Sequence, residues 1–265
     1  MNRLAACSEI PRGTESGAAL GWQGATGAHG HFRPRWIKAE RRPFVGFRVT
    51  RRPRGFCRGL RGSSRCLVLA VLVVLAAPAS AQSPTQIMRQ AEQDFLAGRV
   101  EASVDGFDQV ARARPDAAPQ FWQRGIALYY VDRFEDCRRQ FESHRRVNPN
   151  DVENAAWHFL CVAREQSPQA ALEALLPVGR DTRSPMREIY EMFAGRMTPQ
   201  DVLSAANNPR ARFYAHLYRA LYHDAYGREQ AAREEILLAA AERFSGVGGY
   251  MHGVAVVHRD RLPAP

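Results

Sequence analysis

His216 and His223 stand seven residues apart with Asp224 beside the second, the best pairing of metal-ligating side chains after residue 81. A helix would carry both on one face, but about 10 Å apart along its axis, too far to share one ion. Metal-binding helices use i, i+4 spacing, as in HExxH, and cysteine sites use CxxC pairs. Neither is present, and we expect no metal site. Hydrolytic and nucleotide chemistry fare no better. There is no GxSxG turn and no GxxxxGK[ST] loop, the arrangements that expose a nucleophile or cradle phosphates. Gly246-Val-Gly-Gly249 follows a predicted helix, which makes it a cap and loop. We therefore expect no catalytic residues, no cofactor and no enzyme.

Two cysteines, Cys137 and Cys161, follow residue 81. They fall on the second helix of one predicted pair and the first helix of the next. A disulfide between them is conceivable if the Cα atoms lie within about 7 Å; two separately buried thiols are the favoured expectation. Arg138-Arg139 and Arg145-Arg146 interleave with Glu135, Asp136 and Glu142. That is a solvated, ion-paired helix face, not the like-signed stripe nucleic acid requires.

The residues best suited to recognition are aromatic. Trp122, Gln123, Tyr129 and Arg133 cluster on or beside one predicted helix, Trp157 lies on the equivalent helix of the next pair, and Tyr214 opens a later one. Trp, Tyr and Arg usually anchor interfaces. These six form the expected protein-binding groove; the competing expectation for each aromatic is simple core packing, strongest for Trp157.

The elements that must position them follow a stride of 34 residues. Phe107 and Phe141, Pro115 and Pro149, Ser103 and Cys137, and Ala91 and Gly125 are each 34 apart. That is the period of the tetratricopeptide (TPR) unit, two antiparallel helices and a turn. Small residues suit the helix crossings, and we expect Ala91 to face Ser103 and Gly125 to face Cys137. Pro115 and Pro149 end second helices, because Pro lacks an amide donor and clashes with the preceding turn. Helices are predicted over 84–97, 100–113, 118–131, 134–147, 152–165, 168–177, 184–194, 199–206, 210–225, 228–243 and 250–258. The fold class is all-α, a TPR-type helical-repeat solenoid over 82–260 with a tail at 261–265. Its open concave surface suits a protein or peptide partner; a dimerising structural role is the alternative.

Charge separates this body from what precedes it. Residues 1–65 hold 14 of the 37 cationic side chains against three acids, whereas 82–265 is close to neutral. Residues 1–57 are rich in Arg, Gly and Pro without apolar periodicity, and read as a disordered basic extension or a misassigned start. An organellar targeting segment is the alternative. Residues 58–81 combine arginines, the apolar run 66–76 and Ala79-Ser80-Ala81, the pattern of a signal peptide. Its apolar run is shorter than the roughly 20 residues of a membrane span. Cleavage near Ala81 would release an exported, periplasmic or secreted protein with no stable membrane span.

Arg124-Gly-Ile-Ala-Leu-Tyr-Tyr130, Asn148-Pro-Asn-Asp151, Trp157 with Leu160, and Glu191-Met-Phe-Ala-Gly-Arg-Met-Thr198 resemble the bacterial new lipoprotein I family of TPR proteins. Phe213-Tyr214 through Leu221-Tyr222, with Gly227 and Ala232, resembles its last repeat. The resemblance covers roughly 115–258. It implies an all-helical periplasmic adaptor for cell-wall hydrolases and proteases, with a tendency to dimerise. The chain departs from that family in lacking a cysteine directly after the apolar run, where a lipid would attach.

Overall fold

The computed structural model describes residues 82–262; the predicted extension 1–57 and leader 58–81 lie outside them. The described residues form twelve α-helices with two short 3-10 turns, and no strand occurs among them. In order they are α1 Pro84–Leu96, α2 Val100–Ala113, α3 Trp122–Tyr129, α4 Phe134–His144, α5 Val152–Glu165, α6 Pro168–Glu173, α7 Met186–Phe193, α8 Pro199–Ala205, α9 Pro209–Ala225, α10 Glu229–Ala239, α11 Ser245–Gly248 and α12 Tyr250–Asp260. Among the described residues no helix is long and apolar enough to cross a membrane.

One device starts four of these helices. Ser83-Pro84, Ser167-Pro168, Thr198-Pro199 and Asn208-Pro209 each set a capping side chain before a proline. The cap accepts an otherwise unpaired amide, and the proline, having no N–H, leaves none at the first position. The predicted helix over 118–131 is divided. Ala118–Gln120 forms a 3-10 turn, Phe121 leaves helical geometry at φ −88°, ψ 60°, and α3 begins after it.

A second device joins helices in pairs. Between α1 and α2 the chain turns through Gly98 at φ +76°, and between α9 and α10 through Gly227 at +68°. Such angles cost a glycine nothing, because it has no Cβ. Between α3 and α4, 34 residues after Gly98, Asp132 holds the same left-handed conformation at +60°. The hydrogen bonds coincide as well: Arg99 N donates to Asp94 O, Arg133 N to Leu128 O and Arg228 N to His223 O. Three hairpins thus share one turn, each followed by an arginine at the start of the second helix.

The helix crossings keep the 34-residue stride but fall one turn later than the spacing suggested. A Cβ placed on Gly106 would lie 3.0 Å from Ala91 Cβ, and one on Gly125 would lie 3.1 Å from Gln140 Cγ and 2.7 Å from the Phe141 ring. Gly106 thus lies against Ala91, and Gly125 against the Gln140–Phe141 step. Cys137 instead faces α5, where it is joined to Cys161 by a disulfide with Cα atoms 5.9 Å apart. The expectation of two separate thiols is corrected: the neighbouring helices bring both β-carbons to one seam.

Helix α5 occupies the centre. Eleven of its fourteen residues are buried, so it is enclosed nearly all round, as a core helix must be. It packs against α4, α6, α7 and α9. The last long helix, α12, packs against both α10 and α1. The stack is therefore bridged by its own C-terminal helix.

Candidate functional site

A cleft of about 330 Å³ opens where α3, α4, α5, α9 and the α11–α12 corner meet. Aromatic rings form its sides. Trp122, at the start of α3, meets Tyr250 of α12 edge to face with centroids 5.2 Å apart. Phe141 of α4 stacks on Trp157 of α5 at 6.4 Å. Tyr214 of α9 lies parallel to Tyr218 one turn on, at 6.3 Å. Each helix presents its ring because one apolar face must point inward, and the cleft lies where those faces do not quite close.

The rim carries charge. Arg183, on the segment between α6 and α7, donates from Nη1 to Glu153 at 2.6 Å and from Nη2 to Asp151 at 2.6 Å and Asp181 at 2.7 Å. Tyr218 donates its hydroxyl to the other oxygen of Glu153 at 2.7 Å. Asp151 caps α5 by accepting from Glu153 N, and Asp181 accepts from Val152 N. The first turn of α5 is thereby pinned to a segment without regular structure. Burial pushes the Glu153 carboxyl above its ordinary value, against the opposing pull of Arg183. Burial would raise Asp181 too, but hydrogen bonds from Arg183 bring it below the usual carboxylate range. Tyr214 is pushed up to about 12, first by burial and then by the Glu153 charge. His144 places Nδ1 2.9 Å from Pro119 O, so that nitrogen carries its proton.

Of the six residues expected to line a groove, Trp122, Trp157 and Tyr214 border this cleft. Trp157 does so from within the core, being only 1% exposed. Tyr129 does not belong to an open surface: it is 2% exposed. It shares a helix face with Trp122, but Phe134 and Trp157 close over its ring at 5.8 and 5.6 Å. Gln123 bonds Glu92 of α1 at 3.1 Å, and Arg133 is held by Asp108 and Asp136. Both tie helices together away from the cleft.

Sequence reasoning missed Glu153, Arg183 and Tyr250. Glu153 and Arg183 meet 30 residues apart across an irregular segment, which no periodicity reveals. Tyr250 enters because α12 folds back against α1, a long-range event; its only local signal is the aromatic residue after Gly248-Gly249. No family model matches the chain.

Proposed function

We propose that this chain is an exported adaptor of the TPR type, resembling the new lipoprotein I family, that uses the aromatic cleft to hold a protein partner and carries out no reaction. The shared hairpin turn and the 34-residue recurrence of the Ala91–Gly106 and Gly125–Gln140 crossings support the repeat reading. The observation that carries the binding reading is the cleft itself. Five aromatic side chains from five helices converge on it, the residue class that dominates recognition hot spots. Its volume is at the lower end for ligand pockets. The carboxylates there are engaged by Arg183, Tyr218 and backbone amides, which suits positioning.

The test is capture from envelope extract by the chain from Gln82 to Pro265, compared with the Trp122→Ala/Tyr214→Ala double variant. We expect the variant to lose the captured protein while keeping its helical spectrum and melting temperature within a few degrees. Equal capture by both would remove the cleft from the adaptor role. A second reading, a dimerising structural component, is favoured by Leu237 and Leu238, which expose apolar side chains side by side on α10. A monomeric mass by light scattering at high concentration excludes it.

A further inference from the structure

Three residues bordering the cleft each bury a polar atom with no hydrogen-bond partner: Asn154 Oδ1, Trp157 Nε1 and the Tyr250 hydroxyl. Asn154 is 3% and Trp157 1% exposed. An unmatched buried polar atom costs on the order of 1–3 kcal/mol, and native proteins keep few of them. Three around one cavity form a pattern, and their chemistry is specific. The indole N–H can only donate, the Asn154 carbonyl oxygen can only accept, and a phenol hydroxyl does either. Asn154 and Trp157 are i, i+3 on α5, neighbours on one helix face.

We propose that the cleft binds a carboxamide joined to a flat apolar group. The ligand C=O accepts from Trp157 Nε1 and Tyr250 Oη, its N–H donates to Asn154 Oδ1, and the flat group rests among Trp122, Phe141 and Tyr214. A carboxamide carries an acceptor oxygen and a donor nitrogen on one carbon, which suits an orphaned donor and an orphaned acceptor one helical turn apart. A carboxylate would leave Asn154 unmatched and would face Asp151 and Glu153. An ammonium would leave the indole unmatched. The three atoms are shut off from water, so entry displaces Tyr250. That residue follows Gly249, whose φ of +55° marks the corner between α11 and α12. The inference rests on the cleft being a recognition site. The same chemistry has two sources, a peptide group beside an aromatic side chain of a partner or a free aromatic amide.

The experiment is a titration of the full, 15N-labelled chain, following the indole N–H resonance of Trp157, identified by comparison with the Trp122→Phe and Trp157→Phe spectra. The probes are N-acetylphenylalanine amide, benzamide and methyl benzoate; the last keeps the acceptor and lacks the N–H. We expect saturable downfield movement with both amides and at least tenfold weaker binding of the ester. Tighter binding of the acetylated amide identifies a peptide source, and tighter binding of benzamide a free amide. In Tyr250→Phe we expect benzamide affinity to fall about fivefold to tenfold while the melting temperature stays level or rises, since an orphaned hydroxyl has gone. A purely structural tyrosine would give the reverse. Equal binding of ester and amide, an unmoved Trp157 signal, or unchanged affinity in Tyr250→Phe would overturn the proposal. If the amides bind but no protein is captured from extract, the adaptor reading fails alone. If capture succeeds without amide binding, this inference fails alone.

Discussion

The Tyr130 hydroxyl lies 3.1 Å from Nδ1 of His258, 128 residues further along the chain. Arg261 reinforces the junction by donating to Tyr130 O at 3.0 Å. Both rings are buried. Here α12 is joined to the end of α3, which sets Tyr250, at its start, at the mouth of the cleft.

That junction predicts an acid sensitivity. Burial, with Arg164 and Arg261 nearby and Asp224 opposing, holds His258 below its ordinary value of 6.5. As pH falls through about 6.5 the unfolded chain takes up a proton that the folded protein refuses, so stability drops with falling pH. His158 and His223, also shifted down chiefly by burial, act in the same direction. We expect the drop in melting temperature between pH 7.5 and 5.5 to be smaller in His258→Gln than in the parent, by about 2 °C or more. Identical drops would show that His258 does not carry the effect.

The Cys137–Cys161 bond closes a loop of 24 residues through the α4–α5 turn. A loop of that length stabilises a fold by about 3 kcal/mol through its effect on the unfolded chain. Reductant should therefore lower the urea midpoint of the parent and leave a Cys137→Ala/Cys161→Ala variant where it was. An intact mass showing two alkylatable thiols in the purified, unreduced protein would refute the bond itself.

Arg183 is shared by Asp151, Glu153 and Asp181. In Arg183→Gln the three carboxylates would face one another and the anchor on the first turn of α5 would loosen. Because the Arg183 side chain is 46% exposed, the expected loss is modest, about 1–2 kcal/mol at pH 7. It should shrink in acid, beginning as Glu153, raised by burial, takes up its proton, while Asp181, held low by Arg183, keeps its charge further into acid. A loss that is the same at pH 7 and in acid would assign the effect to packing of the arginine stem.

The helices were legible because their signals are local: a cap before a proline, an apolar face every third or fourth residue, a glycine after the last turn. Ser83-Pro84, Thr198-Pro199 and Asn208-Pro209 mark their starts within a residue. The hairpin at Asp132 was less so, because an aspartate does not advertise a left-handed turn as Gly98 does; only the 34-residue stride points to it. The cleft was half legible. Trp122, Trp157 and Tyr214 could be chosen by type and repeat position, but Tyr129 has the same type and position and is sealed in the core. Nothing within α3 distinguishes them. The distinction comes from what packs on top: Phe134 and Trp157 on Tyr129, Tyr250 on Trp122. The Trp122–Tyr250 contact, across more than a hundred residues, leaves no periodic trace.

The crossing at Gly125 yields the sharpest stability test. An added Cβ would sit 2.7 Å from two ring carbons of Phe141. That ring is 1% exposed and stacked on Trp157, so moving it aside breaks the stack. Overpacking of this kind costs about 1–3 kcal/mol, against roughly 1 kcal/mol gained when alanine replaces glycine in a helix. Gly106→Ala is the matched control at the equivalent crossing. There the added methyl would meet Ala91 Cβ at 3.0 Å, and a slight parting of α1 and α2 relieves the contact. We expect Gly125→Ala to lower the denaturant midpoint clearly and Gly106→Ala to leave it nearly unchanged. The opposite order would mean that Phe141 is mobile, and that the wall it builds with Trp157 is softer than the packing implies.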